Sequence, residues 1–456
     1  MSGPKVVVIG AGSLFFGRQA LWNMVMSEEL CRGTLAYVDI EEQPLKEMMA
    51  LGRKAIEAKN SPLKLEGSRD RREVLKGADF VVLSFARDGV RFRGVDCEIS
   101  EKYGVRMCSG DTIGPGGIFR AMRELPVILD IARDVKELCP DAWVINYINP
   151  TAVNGLGLMR HGGVKSFALC DGLHMPRVKK RYMVDCKVAP DQQSITPEMM
   201  AKFDLRIGGV NHFTWLLGAE YEGKDVTPGL RETMAAIAAG ETDAGHSKAR
   251  FNKSYALELW DIFGIYPACI GHTKEYVPYW QGHHVQTNRL PPLSIFDVPT
   301  REKRHAKMWT EVRAFNSGEK PMDEFFESMG PDHATDIIKS MWSGAKQQFY
   351  INTANRGAIS NLPDDAFLES LCDVGMNGPV PVPVGAFPLG VRSLQMQVLD
   401  THELTVEAIV SKDRAVLRRA MLTDPIVNSI PDADAITDEL LEQEKEIIPA
   451  AWYAGA

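Results

Sequence analysis

The sequence predicts an α/β protein: a doubly wound parallel sheet over residues 1–175, followed by a mixed α+β domain over residues 176–456. Three observations predict it. The first 170 residues alternate short apolar runs with helical patterns, and runs apolar at every position belong to strands buried on both faces. The first run ends in Gly10-Ala11-Gly12-Ser13 where a strand gives way to a helix. Beyond residue 175 the alternation stops and helical patterns dominate.

Each element follows from its own residues. Residues 5–9 (KVVVI) are β-branched and read as the opening strand. A helical pattern runs to about residue 28, then a strand at 35–38 and a helix at 42–59. Strands at 80–84 and 143–147 flank a helix at 118–137, and residues 166–169 form a last short strand. In the second domain, residues 254–263, 301–313 and 404–422 read as helices. Residues 349–351 read as a short strand and 378–383 (GPVPVP) as a proline-rich loop.

Composition narrows the function. The 456 residues carry 52 Lys+Arg against 60 Asp+Glu, a net charge of −8. That balance argues against a nucleic-acid or membrane-surface partner. The start has no signal-peptide shape, and no apolar run reaches the ~18 residues of a membrane span. The eight cysteines show no CxxC spacing. In a chain large enough to stand without disulfides, they read as reduced thiols in the cytoplasm.

Five segments carry candidate chemistry. Gly10, Gly12 and Ser13 at the strand–helix junction suit a pyrophosphate on the helix N-terminus, the mark of a Rossmann-like, dinucleotide-binding domain. Phe15 stands where a third glycine is usual, and Gly17 is displaced from it. Asp39 ends the second strand, where a carboxylate bonds a ribose 2′-hydroxyl and repels a 2′-phosphate, which favours NAD over NADP. Residues 110–117 (GDTIGPGG) precede the long helix and suit an anion cradle, with Arg120 and Arg123 one turn apart for an anionic or polyhydroxyl ligand; a plain loop with surface arginines fits equally. Asn149, before Pro150, follows a central strand and suits a sugar hydroxyl or simply starts a turn.

Cys170 and Asp171 end the last parallel strand, and Asn211-His212 lies in the later segment GVNHF. A thiolate and an imidazole can share a divalent metal, but two ligands are too few for a closed structural zinc site. Each residue read alone is more often core. His272, Lys274 and Tyr276 in GHTKEY offer proton-transfer groups or merely a solvated loop.

Taken together, the motifs resemble glycoside hydrolase family 4, the NAD- and metal-dependent glycosidases. The resemblance spans nearly the whole chain. It rests on VVVIGAGS (6–13), GDTIGPGGIFRAMRELPVI (110–128), INYINPTAVN (145–154), LCDG (169–172), GVNHFTWL (209–216), GHTKEYVP (271–278) and INTANRGAISNLP (351–363). GDTIGPGG and the last two blocks are most similar to the α-galactosidase and α-galacturonidase branches. The resemblance implies a lactate/malate-dehydrogenase-like architecture and a dimer or tetramer acting on a small carbohydrate.

It also implies a mechanism outside the two-carboxylate scheme of most glycosidases. NAD oxidises the sugar at C3, a base takes the C2 proton, the metal stabilises the enediolate, and the C1 substituent leaves. Water then adds and NADH reduces C3 back. In this resemblance Cys170 and His212 are the metal ligands. Manganese is the usual ion, although thiolate softness alone points to zinc. Asn149, Arg120 and Asn211 would bind substrate, Asp111 would lie near sugar and cofactor, and His272 or Tyr276 would be the base. Members with Cys-Asp at the metal position continue Met-Pro; here Gly172-Leu173 intervenes and Met175-Pro176 comes later. Asp171 is then the candidate acid for the departing oxygen. The rival is an NAD-dependent 2-hydroxy-acid dehydrogenase of the same architecture, whose usual histidine segment this chain lacks.

Overall fold

The computed structural model describes residues 2–13, 16–241, 247–283 and 296–453. The strands that organise it are β1 (Lys5–Ile9), β2 (Thr34–Val38), β3 (Lys64–Ser68), β4 (Phe80–Leu83), β5 (Trp143–Asn146), β6 (Lys165–Ala168), β7 (Phe203–Val210), β8 (Phe213–Tyr221), β9 (Gln348–Ala354) and β10 (Phe367–Gly375). The first six pair in parallel in the order β3-β2-β1-β4-β5-β6. This is the doubly wound order, reversing direction between β1 and β4, and ligands bind such sheets beyond the strands' C-terminal ends at that point.

β1, β2, β4 and β5 are apolar along nearly their whole length because both faces are covered. Val7, Ala36, Val81 and Val144 pack with the helix Gly114–Leu138 on one face. Val6, Val8, Tyr37, Val82 and Ile145 pack on the other with Leu21 and Met24 of the helix Phe16–Met26. The start of β6 (KSFA) is polar, and β3 escapes this rule altogether. Its sequence KLEGS lies at the exposed edge, which is why no apolar run announced it.

The sheet does not end at β6. Asn352 of β9 pairs antiparallel with Ala168, and β10, β7 and β8 follow in the same sheet. Hydrogen bonding therefore runs unbroken from the parallel to the antiparallel part. Residues 378–383, expected as a loop, contribute a strand at Gly378–Pro381 on β10. Prolines are tolerated there because an edge strand need not donate on both sides. The helix expected at 404–422 is two helices, Leu389–Ser411 and Arg414–Thr423. Lys412 turns left-handed (φ +58°), and Asp413 caps the second helix by accepting from the Ala415 and Val416 N–H groups.

The glycine segment at 110–117 does not form an open anion cradle. The helix begins at Gly114, a turn earlier than expected, and the Gly114 N–H donates to the buried Asp424 carboxylate at 2.8 Å. The protein thus supplies its own carboxyl acceptor to this N-terminus. A Cβ on Gly116 would lie 2.5 Å from the Gly110 carbonyl oxygen, so that glycine serves packing. Among the described residues no helix is long and apolar enough to cross a membrane.

Candidate active site

At the end of β1 the chain turns through Gly10 (φ +94°), and a Cβ there would meet the Ser84 carbonyl oxygen at 2.3 Å. Gly10 and Ala11 donate to the Val38 carbonyl, tying the turn to β2. Asp39, just beyond β2, accepts the Gly12 N–H at 2.6 Å and the Glu41 N–H at 3.0 Å. A side chain on Gly12 would collide with Asp39 and Pro44, so this cradle admits only glycine. Ser13 donates its N–H to the Gly10 carbonyl and closes the turn. Phe15 lies outside the described residues. The close helix–strand contact expected of a third glycine is made by Gly17, whose Cβ would lie 2.5 Å from the Ala11 carbonyl oxygen. The turn therefore fits a dinucleotide.

Cys170 leaves the sheet just past β6. Its Sγ lies 3.2 Å from His212 Nδ1 and accepts the Gly172 N–H at 3.2 Å. His333 Nδ1 lies 3.0 Å from the Cys170 carbonyl oxygen and holds that backbone from below. His212 occupies the two-residue turn between β7 and β8 with φ +63°, a conformation uncommon outside glycine and often found at functional sites. Burial and the neighbouring His272 imidazole push its pKa down to about 3, so the ring is neutral and keeps a lone pair. The pair fits a divalent transition metal.

His272 reaches the same place from the short helix Ile270–Thr273, its ring stacked on His212 at 4.2 Å between centroids. Tyr276 stacks on Phe213 and donates its hydroxyl to the Asn211 carbonyl at 2.9 Å. Burial pushes this phenol well above its ordinary pKa. The Asn211 side chain donates to Glu369 at 3.3 Å.

Asp111 is buried beside Arg93 (3.1 Å) and Arg120 (2.8 Å), and the Asn149 amide donates to it at 3.3 Å. Burial opposes its charge, but the two guanidiniums and Ser109 hold its carboxyl well below the ordinary range. Arg120 is thus bound to Asp111. Arg123, expected one turn on beside a ligand, is fully buried in an ion triad with Asp96 and Glu444 instead. Asp171 is exposed and adjoins Tyr147, which stacks on Phe16 at the start of the helix after the glycine turn. Although its surface meets solvent, crowding by the surrounding protein strips water from its carboxyl and, with the nearby Asp332, pushes its pKa up to about 6.

Four groups here escaped the sequence reading. Arg93 faces Asp111 from another helix. Glu275 is buried, with its pKa raised to about 7 by burial and Asp111. Glu369 comes from the middle of β10, where it looked like an ordinary strand residue. Cys269 lies 3.5 Å from His272 Nδ1. Its Cys-x-x-His spacing was the one readable signal.

The fold and the cluster define a doubly wound α/β protein whose glycine turn and thiol–imidazole pair share the carboxyl edge of one sheet. Residues 5–183 match the sequence model of the family 4 glycosyl hydrolases, and residues 207–427 match that of the family's C-terminal domain. The chain belongs to the family 4 glycosyl hydrolases, which favours a glycosidase over a 2-hydroxy-acid dehydrogenase. It is 27% identical over 451 residues to an alpha-galactosidase of Bacillus subtilis, covering 98% of this chain and 99% of that one. It is 30% identical over 455 residues to a protein of the same bacterium named a probable 6-phospho-beta-glucosidase, covering 98% of each. A 6-phospho-alpha-glucosidase from gut microorganisms, solved with NAD and Mn2+, shares the fold with a TM-score of 0.81 at 20% identity, over 98% and 99% of the two chains.

Proposed function

We propose that the chain hydrolyses an α-linked hexoside or hexuronide by the oxidation–elimination–addition route, with NAD over the glycine turn and manganese between Cys170 and His212. When bound, the two groups supply a hydride acceptor for C3 and a Lewis acid for the oxygen that gains charge. The observation that carries this reading is the 3.2 Å Cys170–His212 pair set beside the Arg120–Asp111–Asn149 chain at the sheet's carboxyl edge.

The protein's own groups have separate tasks. Gly10, Gly12 and Ser13 let the pyrophosphate approach the backbone, and Asp39 takes the adenosine ribose. Asp111 and Asn149 orient sugar hydroxyls, with Arg120 fixing Asp111; Asn211 positions the Tyr276 hydroxyl through its carbonyl. His272 or Tyr276 removes the C2 proton. Asp171, exposed and one residue from Cys170, gives its proton to the departing oxygen. Residues 1–175 carry the cofactor, while residues 176–456 carry His212, the base and the oligomer contacts of a homodimer or homotetramer. The eight free thiols favour a reducing, cytoplasmic setting.

Hydrolysis in heavy water tests the route. Direct displacement never breaks C2–H, whereas elimination must, so proton NMR should find deuterium at C2 of the product and none at C3. Replacing the true base, by His272→Ala or Tyr276→Phe, should slow C2 exchange and turnover together by roughly 10²–10⁴-fold. A product that keeps its C2 proton from substrate would overturn the reading.

A further inference from the structure

We propose that the cavity beside the candidate metal site seats the leaving group, and that Arg181 and Lys253 select a leaving group bearing a carboxylate. This rests on the proposed roles of Asp171 and His272 and adds the part of the substrate beyond the cleaved bond. The cavity is about 290 Å³, and its wall includes Gly172, Arg181, Asp185, Lys253, Tyr266 and His272. Gly172 follows Asp171, the proposed proton donor to the departing oxygen, and His272 is a candidate base. The cavity therefore meets the site where the bond would break. Asp111, Asn149 and Arg120, which orient the sugar in the proposed reaction, do not line it. It is thus separate from the sugar's own seat and falls to the group that departs. Its volume is at the lower end for small-molecule sites, roughly 300–1,000 Å³, and suits a short leaving group.

The charges in the wall decide the chemistry. Arg181 and Asp185 stand one turn apart on the helix Arg177–Asp185, and Lys253 joins them from the helix Ser247–Phe263. Neither cation forms an ion pair among the described residues. The Lys253 ammonium donates to the Tyr266 hydroxyl at 3.3 Å, and the Arg181 guanidinium lies 5.3 Å from the Tyr182 ring centre. The Tyr266 hydroxyl in turn donates to the Met234 sulfur at 3.3 Å, which leaves its oxygen to accept from Lys253 and fixes the ammonium in the wall. Burial pushes the Lys253 pKa down, and the Arg181 charge adds to that against the pull of Asp185. An anion between the two cations relieves the penalty. Two cations against the single Asp185 carboxylate leave one positive charge over, which matches a carboxylate and falls short of a phosphate dianion. A guanidinium grips a carboxylate through two parallel N–H bonds, and the ammonium adds a point charge.

The test uses the full chain with NAD and manganese, on α-galactosides and α-galacturonides of phenols that differ only at the meta position: carboxylate, carboxamide or phosphate. Wild type should prefer the carboxylate to the carboxamide by about tenfold or more in kcat/KM, the worth of one charged hydrogen bond. Added salt should shrink that ratio. Lys253→Met and Arg181→Gln should each bring it towards one, mainly through KM. Asp185→Asn should raise it and shift the preference towards phosphate, a gain that a misfolded chain cannot give. A wild-type ratio near one, a wild-type preference for phosphate, or a carboxylate preference that survives both Lys253→Met and Arg181→Gln would overturn the proposal. Binding of benzoate against benzamide, read by calorimetry on the NAD-loaded protein, asks the same question without turnover. If neither glycoside series is cleaved, the proposed reaction fails on its own account. The benzoate preference, and its loss in Lys253→Met and Arg181→Gln, then decide the cavity.

Discussion

Arg123 Nη1 lies 2.6 Å from the Glu444 carboxylate, joining the long helix of the parallel half to the last segment of the chain. Asp96 binds the same guanidinium at 2.7 Å, and all three side chains are buried. Burial and the adjacent Asp96 push Glu444 well above the ordinary carboxylate range, despite Arg123. Arg123→Met leaves two buried acids without a cation and should cost about 3–5 kcal/mol in urea unfolding. Glu444→Gln, replacing a group that is readily protonated, should cost clearly less. Equal losses in the two variants would contradict this account of the triad.

With Asp39 on the adenosine ribose, as proposed, the protein should bind NAD more tightly than NADP by roughly tenfold or more, about 1.4 kcal/mol. Asp39→Asn keeps an acceptor for the Gly12 N–H and removes the repulsion of a 2′-phosphate. The preference should shrink mainly through tighter NADP binding, read by fluorescence titration. An unchanged ratio would take Asp39 out of the discrimination.

Asp171 as acid makes a prediction about leaving groups. A nitrophenolate departs with little protonation, while an alkoxide needs it. Asp171→Asn should slow alkyl glycosides by roughly 10²–10⁴-fold and nitrophenyl glycosides far less. Steady-state rates on matched substrates measure the difference; equal losses would point to a binding role.

His402 is buried in the helix Leu389–Ser411, with Nε2 unpartnered among the described residues. Burial pushes its pKa down to about 4 from an ordinary 6.5. Above pH 6.5 both folded and unfolded forms are neutral there and the stability is complete. As pH falls from 6.5 toward 4 only the unfolded chain gains the proton, so about 3 kcal/mol is lost over that window. His402→Leu should remove this share of the acid sensitivity, leaving the shares of His212 and His333. Parallel stability–pH curves for wild type and variant would refute it.

The local sequence determined the parallel half. Val6-Val7-Val8, the glycine turn and Asp39 could be read in order because a strand covered on both faces is apolar throughout, and a tight strand–helix turn demands glycine at specific points. Cys170 and His212 could be singled out by type and motif, and GHTKEY by its titratable groups. The edge strand β3 and the antiparallel strands β7, β8 and β10 were not legible, although residues 349–351 of β9 were: a strand that faces solvent carries polar residues, and β7 and β8 lack a uniform apolar run.

Only the tertiary structure decided what meets what. It placed Arg123 with Glu444 instead of a ligand, and Asp424 on the helix N-terminus that looked open. It brought Cys269 and His272 to His212, and Glu369 to Asn211. Local patterns report burial and turns because those depend on neighbouring residues in the chain. Long-range ion pairs and metal donor sets depend on distances between segments tens to hundreds of residues apart, and those distances exist only once the sheet has set the order of its strands.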